Sequence, residues 1–247
     1  MKPDQPIPDP FPDLAQGEVH VWKCVLPQDT SDLARQFDLL SGDEQERADR
    51  FKVERPRRQF IIARSTLRSL LGRYLSMLPS EIIFRTAEHG KPELHHPEGR
   101  LQFNVSHSQE LVLLAFSRSA PVGIDVEWLG GTADHSDVAG RFFSGREQSQ
   151  LQALPQADRP RAFLECWTRK EAYLKARGFG LSRDTRTFSV SITGRAGGVL
   201  LEDNDDPSAL DSWSIQPIQL EQPADYCAAL AVQSPLETVK CLGSGWG

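Results

Sequence analysis

Several features are scarce or missing in this chain, and each scarcity closes off a class of protein. No apolar run approaches the ~20 residues of a membrane-spanning helix, so no membrane association is expected. Cysteine is rare, and Cys24, Cys166, Cys227 and Cys241 are scattered without a C-x-x-C pair. That excludes a zinc ribbon or a disulfide framework and fits reduced thiols in a cytoplasmic protein. Positive charge is in deficit: 28 Lys and Arg stand against 34 Asp and Glu, a net charge of -6. A nucleic-acid partner, which calls for a basic footprint, is therefore not expected. Neither a Walker-type phosphate loop nor a dinucleotide glycine motif occurs, and there is no G-x-S-x-G elbow. The start, "MKPDQPIPDPFPD", lacks the apolar centre of a signal peptide. Its alternating prolines predict a flexible tail over 1–17, and "GSGWG" predicts a loose end over 236–247.

What is present is an ordinary globular composition over 247 residues, with an internal echo. "SGDEQ" at 41–45 returns as "SGREQ" at 144–148. The same offset lays "EVHVWKCV" (18–25) on "PVGIDVEW" (121–128), and "RQFIIARSTLRSLLG" (58–72) on "RAFLECWTRKEAYLK" (161–175). Each half reads as a strand, a short helix opened by a capping box (Ser41 with Glu44, Ser144 with Glu147), a long helix, then several strands. The first long helix takes Pro56 in its first turn and ends before Pro79. The second runs from about 159 to 177 and stops near Gly178. The fold class is α+β, a pseudo-two-fold duplication of two lobes (18–119 and 120–235), each a small, mostly antiparallel sheet packed with a long helix. A groove between such lobes is a usual place for a ligand.

Two acids stand on one face of a short strand in "PVGIDVEWLG" (121–130). Alternation puts Ile124, Val126 and Trp128 on one face and Asp125 and Glu127 on the other. Two readings stand: a solvated face, or a site for a hard divalent cation. In the second long helix Glu171 and Lys175 share a face, on a stripe continued by Trp167 and Leu174, while Lys170 lies about 100° round from Glu171. That stripe is expected to be partly buried, and Glu171 would complete a three-carboxylate set. The first lobe offers a Gly-Lys-Pro turn at Lys91 and Pro92, and a strand end, "QFNVSHS", carrying Asn104, Ser106 and His107. These groups suit phosphate oxygens, and each also fits an ordinary turn. A Ser106–His107 nucleophile pair is disfavoured because adjacent strand residues face opposite ways. His95 and His96 read as a solvated turn.

The ordered series "GKP", "FNVSHS", "GIDVE", "RFFS" and "WTRKEAYLKARGFGL" resembles the 4′-phosphopantetheinyl transferases, in particular the two-lobed, surfactin-synthetase-activating type, over about residues 18 to 232. The resemblance implies transfer of the phosphopantetheine arm of coenzyme A to a serine of an acyl or peptidyl carrier protein, releasing adenosine 3′,5′-bisphosphate. It implies Mg²⁺, with Mn²⁺ acceptable, on Asp125, Glu127 and Glu171. It implies Glu171 and Lys175 as catalytic groups, with Lys170 and Lys175 facing the pyrophosphate. Arg58, Lys91, Pro92, Asn104, Ser106 and His107 would bind coenzyme A, with His107 on its 3′-phosphate. The alternative is an inactive coenzyme A- or carrier-binding protein. Arg141, Phe142 and Arg146 are candidate carrier contacts, Trp128 is expected to anchor its strand, and the internal repeat suggests a monomer.

Overall fold

The computed structural model describes residues 10–27, 29–86, 92–95, 101–118, 120–130, 136–180, 183–192, 200–220, 225–233 and 238–243. Lys91 and His96 lie outside these residues. In chain order the elements are β1 (Glu18–Val25), α1 (Leu33–Asp38), α2 (Gly42–Asp49), α3 (Glu54–Leu75), a 3-10 turn (Pro79–Glu81), β2 (Phe84–Thr86), β3 (Pro92–Leu94), β4 (Gln102–Ser108), β5 (Leu111–Ser117) and β6 (Val122–Trp128). There follow α4 (Ser136–Phe142), α5 (Gly145–Ala153), α6 (Arg159–Arg177), a 3-10 turn (Thr185–Thr187), β7 (Phe188–Val190), β8 (Leu200–Asp203), α7 (Ala209–Ser212), β9 (Trp213–Pro217), β10 (Tyr226–Gln233) and β11 (Thr238–Leu242).

Two sheets and two long helices stack in layers. A four-stranded sheet runs β11-β1-β5-β4 and a three-stranded sheet β6-β10-β9; β2-β3 and β7-β8 form small separate pairs. Helix α3 buries Ile62, Leu67, Leu70, Leu71 and Tyr74 against Trp22, Phe103, Leu114 and Phe116 on one face of the larger sheet. The other face carries Val19, Val21, Leu111, Leu113 and Ala115, which meet Val122, Ile124, Val126, Leu230 and Val232 of the smaller sheet. Helix α6 closes the far face with Phe163, Cys166, Tyr173, Leu174 and Ala176 over Cys227, Ala229 and Ala231. Strands β5 and β10 therefore lie covered on both faces, which explains their unbroken apolar runs "LVLLAFS" and "YCAALAV".

The helix ends follow the sequence signals. Gly178, at φ 75°, closes α6: its N–H bonds Lys175 O and the Phe179 N–H reaches Leu174 O, a Schellman closure. The "SG-x-EQ" echo is one device used twice. Glu44 accepts the Ser41 N–H at 3.0 Å and Glu147 the Ser144 N–H at 2.7 Å. Each glutamate also takes a cation from the long helix, Arg68 at 2.6 Å and Lys170 at 2.8 Å. Gln45 Nε2 donates to Phe37 O and Leu40 O, and Gln148 Nε2 donates to Gly140 O and Phe143 O, the same steps back along the chain.

The described parts of both expected loose ends, residues 10–17 and 238–243, are packed, and the rest of those ends lies outside the described residues. Phe11 stacks on Trp22 at 5.6 Å and Leu14 is buried, its carbonyl held by Arg118 Nε at 2.9 Å. At the other end β11 pairs in parallel with β1, Glu18 opposite Thr238. The C-terminal strand thus completes the sheet that the first strand begins, a pairing between sequence-distant segments that no local signal announces.

Candidate active site

The crossing of α6 over β6 builds the site. A Cβ on Gly123 would lie 2.2 Å from Ala172 O and 2.4 Å from Ala176 N, so glycine alone lets the helix settle directly on the strand. That approach brings Glu171 and Lys175, each one residue before those contacts, to Asp125 and Glu127 on β6. The solvated-face reading of the acid pair fails, because Asp125 is 4% exposed. Its Oδ1 accepts Lys175 Nζ at 2.6 Å and Ser106 Oγ at 2.9 Å. Its Oδ2 is buried with no hydrogen-bond partner among the described residues. Lys175 Nζ also donates to Ser106 Oγ at 3.0 Å and to Ile124 O at 3.3 Å.

Burial raises the pKa of all three carboxyls here, and the Asp125 charge raises the two glutamates further. Burial pushes Asp125 up, against the pull of Lys175. Glu127 is pushed up by burial and then by the Asp125 charge, against its hydrogen bond from Ser108. Glu171 is pushed up to about 7, by burial first and then by Asp125, with Lys175 opposing and Glu127 adding. Among the described residues no group of three or more His, Cys, Asp or Glu side chains is assembled to hold a metal ion. The chemistry of the donor set nonetheless fits a hard dication: three mutually repelling carboxyls and one orphaned buried oxygen.

The other expected ligands divide. Ser106 is buried and His107, facing the opposite way, is exposed, which disposes of a Ser–His nucleophile pair. The His107 ring is still crowded enough that desolvation, then the Lys175 charge, holds its pKa below the ordinary value. Asn104 is not aimed at a ligand: its Oδ1 accepts the Ile124 N–H at 2.9 Å. Lys170 is the plainest correction. It is 2% exposed and donates to both Glu147 oxygens, at 2.9 and 2.8 Å, and to Phe188 O at 2.7 Å. Rotation by one residue turns it from the cleft into the core beside α5, so it belongs to the capping device, not to a pyrophosphate. Arg58 Nη2 meets Glu110 Oε2 at 3.4 Å beside the β4–β5 hairpin. Pro92 sits in the small β2-β3 sheet opposite Thr86. Trp128 does not anchor β6 in the core: it is 38% exposed, and its indole fills the space a Cβ on Gly130 would need.

Two residues that matter here escaped the sequence reading. Gly123 sets the helix approach, and Ser108 holds Glu127 at 3.1 Å. The signal for Ser108 was on view, since polar residues at 104, 106 and 108 fall on one strand face.

Comparison with known proteins bears on this cluster. Residues 121–231 match the 4′-phosphopantetheinyl transferase superfamily, and residues 26–119 match the N-terminal region of 4′-phosphopantetheinyl transferases. The chain is 42% identical over 172 residues to the 4′-phosphopantetheinyl transferase HetI of Nostoc sp., covering 69% of this chain and 73% of that protein. It is 31% identical over 186 residues to the 4′-phosphopantetheinyl transferase Sfp of Bacillus subtilis, covering 74% and 80% respectively. The 4′-phosphopantetheinyl transferase psf-1 of Bacillus pumilus is 28% identical over 196 residues, 77% of this chain and 82% of that protein. The first of the two matched regions contains β6 and α6, and so the whole acid–lysine cluster. By these relationships the chain belongs to the 4′-phosphopantetheinyl transferase superfamily, in the company of the Sfp-type enzymes.

Proposed function

We propose that this transferase moves the 4′-phosphopantetheine arm of coenzyme A onto a serine hydroxyl of an apo acyl or peptidyl carrier protein, releasing adenosine 3′,5′-bisphosphate. The observation that carries this reading is the convergence of Asp125, Glu127, Glu171 and Lys175 where α6 crosses β6. Asp125, Glu127 and Glu171 would hold Mg²⁺, or Mn²⁺, which accepts the same oxygen ligands. Bound there, the dication would offset charge on the pyrophosphate oxygens.

This chain's own groups supply the rest. A serine hydroxyl needs a base to become a competent nucleophile. Glu171, whose carboxyl pKa is raised to about 7 in the cation-free protein, is the candidate to accept that proton, directly or through a water, when it is not itself holding the cation. Lys175 adds positive charge beside the reacting phosphoryl group. Lys91 and His107 would receive the phosphates of coenzyme A, Arg58 and Pro92 lining the approach, while the buried Ser106 hydroxyl, committed to Asp125, Val126 and Lys175, supports the acid cluster instead. A phosphate dianion beside His107 would raise its pKa again and make it a charged donor. Arg141 and Arg146 are exposed at α4 and α5, and an acidic carrier would find them complementary. We further propose the two-lobed duplication (18–119 and 120–235) as the origin of the repeated capping device, with the enzyme working as a cytoplasmic monomer.

The test is intact-mass spectrometry of an apo-carrier protein after incubation with this protein, coenzyme A and Mg²⁺, with and without chelator. A chelator-sensitive gain of one phosphopantetheine group is expected. No gain on a panel of carriers, with coenzyme A still bound, would replace this reading with an inactive binding protein. The intact acid cluster argues against that alternative.

A further inference from the structure

Strands β4 and β6 are the edges of two different sheets, and no main-chain ladder joins them. They run side by side in the same direction, joined by side chains. Asn104 Oδ1 accepts the Ile124 N–H at 2.9 Å, Ser106 Oγ the Val126 N–H at 3.3 Å, and Ser108 Oγ the Trp128 N–H at 3.1 Å. Each β4 residue meets the amide 20 positions further on, so the register is constant. An edge strand presents N–H groups that must find acceptors or attract another chain. Here alternate β4 side chains provide them.

The two serines have a second task. A hydroxyl carries one proton and two lone pairs. Having accepted an amide, each serine donates its proton to the carboxylate just before that amide. Ser106 donates to Asp125 Oδ1 at 2.9 Å and Ser108 to Glu127 Oε2 at 3.1 Å. The unit Ser108–Glu127–Trp128 thus repeats Ser106–Asp125–Val126 one step along the strand. Asp125 has Lys175 and Ser106 to hold it. Glu127 is longer and less buried, so it has more rotamers to lose. A bond to a small side chain on a packed strand restricts it without blocking its second oxygen.

We propose that Ser108 is a positioning residue for the reaction: it aims the Glu127 carboxylate at the cation site while sealing the seam between the two sheets. The inference rests on the reading that Glu127 is a cation ligand. Outer hydrogen-bond partners of metal ligands typically contribute about 10–100-fold in metal affinity. The lower end, about 10-fold, is expected for one neutral hydroxyl on one of three carboxylates.

Mn²⁺ serves as the probe, its binding to the full chain followed by electron paramagnetic resonance without coenzyme A or carrier. Thermal melts check that each variant is folded. Ser108→Ala should weaken Mn²⁺ binding about 10-fold, and Ser108→Thr, which keeps the hydroxyl, should restore it. Glu127→Ala should weaken binding more than either. If Ser108→Ala binds Mn²⁺ like the wild type while Glu127→Ala loses it, Ser108 is only a seam residue and the proposal falls. If Glu127→Ala also binds like the wild type, the cation reading falls and takes the proposal with it. A Ser108→Thr variant as weak as Ser108→Ala would equally refute the hydroxyl's role.

Discussion

Replacing Glu171 by glutamine should make the cation-free protein more stable, and only above mildly acidic pH. The ordinary carboxyl value of 4.5 is raised to about 7 in the fold, by burial and by the charges of Asp125 and Glu127. The folded carboxyl therefore keeps its proton at a pH where the unfolded one has lost it. Between about pH 4.5 and 7 the folded state binds more protons, so stability falls as pH rises through that window and stays low above it. At about 1.4 kcal/mol for each pKa unit the full penalty is about 3 kcal/mol. Solvent screening at this half-buried position, and the lost attraction to Lys175, bring the expected gain for Glu171→Gln at pH 8 to about 1–2 kcal/mol. At pH 5 the same linkage leaves about a quarter of that gain. The assay is urea denaturation of wild type and variant at both pH values, with chelator present, followed by tryptophan fluorescence. Adding Mg²⁺ at pH 8 should stabilise the wild type and close the gap. A gain of equal size at both pH values, or a loss at pH 8, would refute the electrostatic reasoning.

Three further outcomes follow from other parts of the fold. Lys170→Met strands the buried Glu147 carboxylate and should destabilise by about 3 kcal/mol. Below its melting temperature that variant should keep the wild-type KM for coenzyme A, which steady-state kinetics would check. Gly123→Ala forces α6 off β6 and should cost about 3 kcal/mol by denaturant titration. Its folded fraction should lose about 100-fold in turnover, because reacting groups tolerate little displacement. Tyr74→Phe removes the oxygen that accepts the Trp22 indole N–H at 2.8 Å and meets His20 Nδ1 at 2.7 Å. With those partners buried, a loss of about 2 kcal/mol is expected with turnover unchanged.

Local signals made much of this architecture legible. Alternation in "VGIDVEW" marked β6, its echo in "EVHVWKCV" marked β1, and the capping boxes at Ser41 and Ser144 marked α2 and α5. Asp125, Glu127, Glu171 and Lys175 were legible as a set through the motifs that carry them. The misses share a cause, which is that helical and strand periodicity name faces without naming what covers them. Lys170 and Lys175 flank Glu171 in sequence, and only the crossing at Gly123 decides which one meets Asp125. Asn104 reads as a ligand until β6 is seen to lie along β4. Phe11 and the segment Thr238–Leu242 look loose because their partners, Trp22 and β1, are reached only through tertiary packing.

The most direct test of the central claim, that the cluster at the α6–β6 crossing is the transfer centre, is the carrier-protein mass assay repeated with Asp125→Asn. This change keeps the side chain's shape and removes the charge. A protein that melts as a folded domain, still binds coenzyme A, and leaves the carrier at its apo mass is the predicted result. A full phosphopantetheine gain from Asp125→Asn would place the chemistry elsewhere and contradict the account.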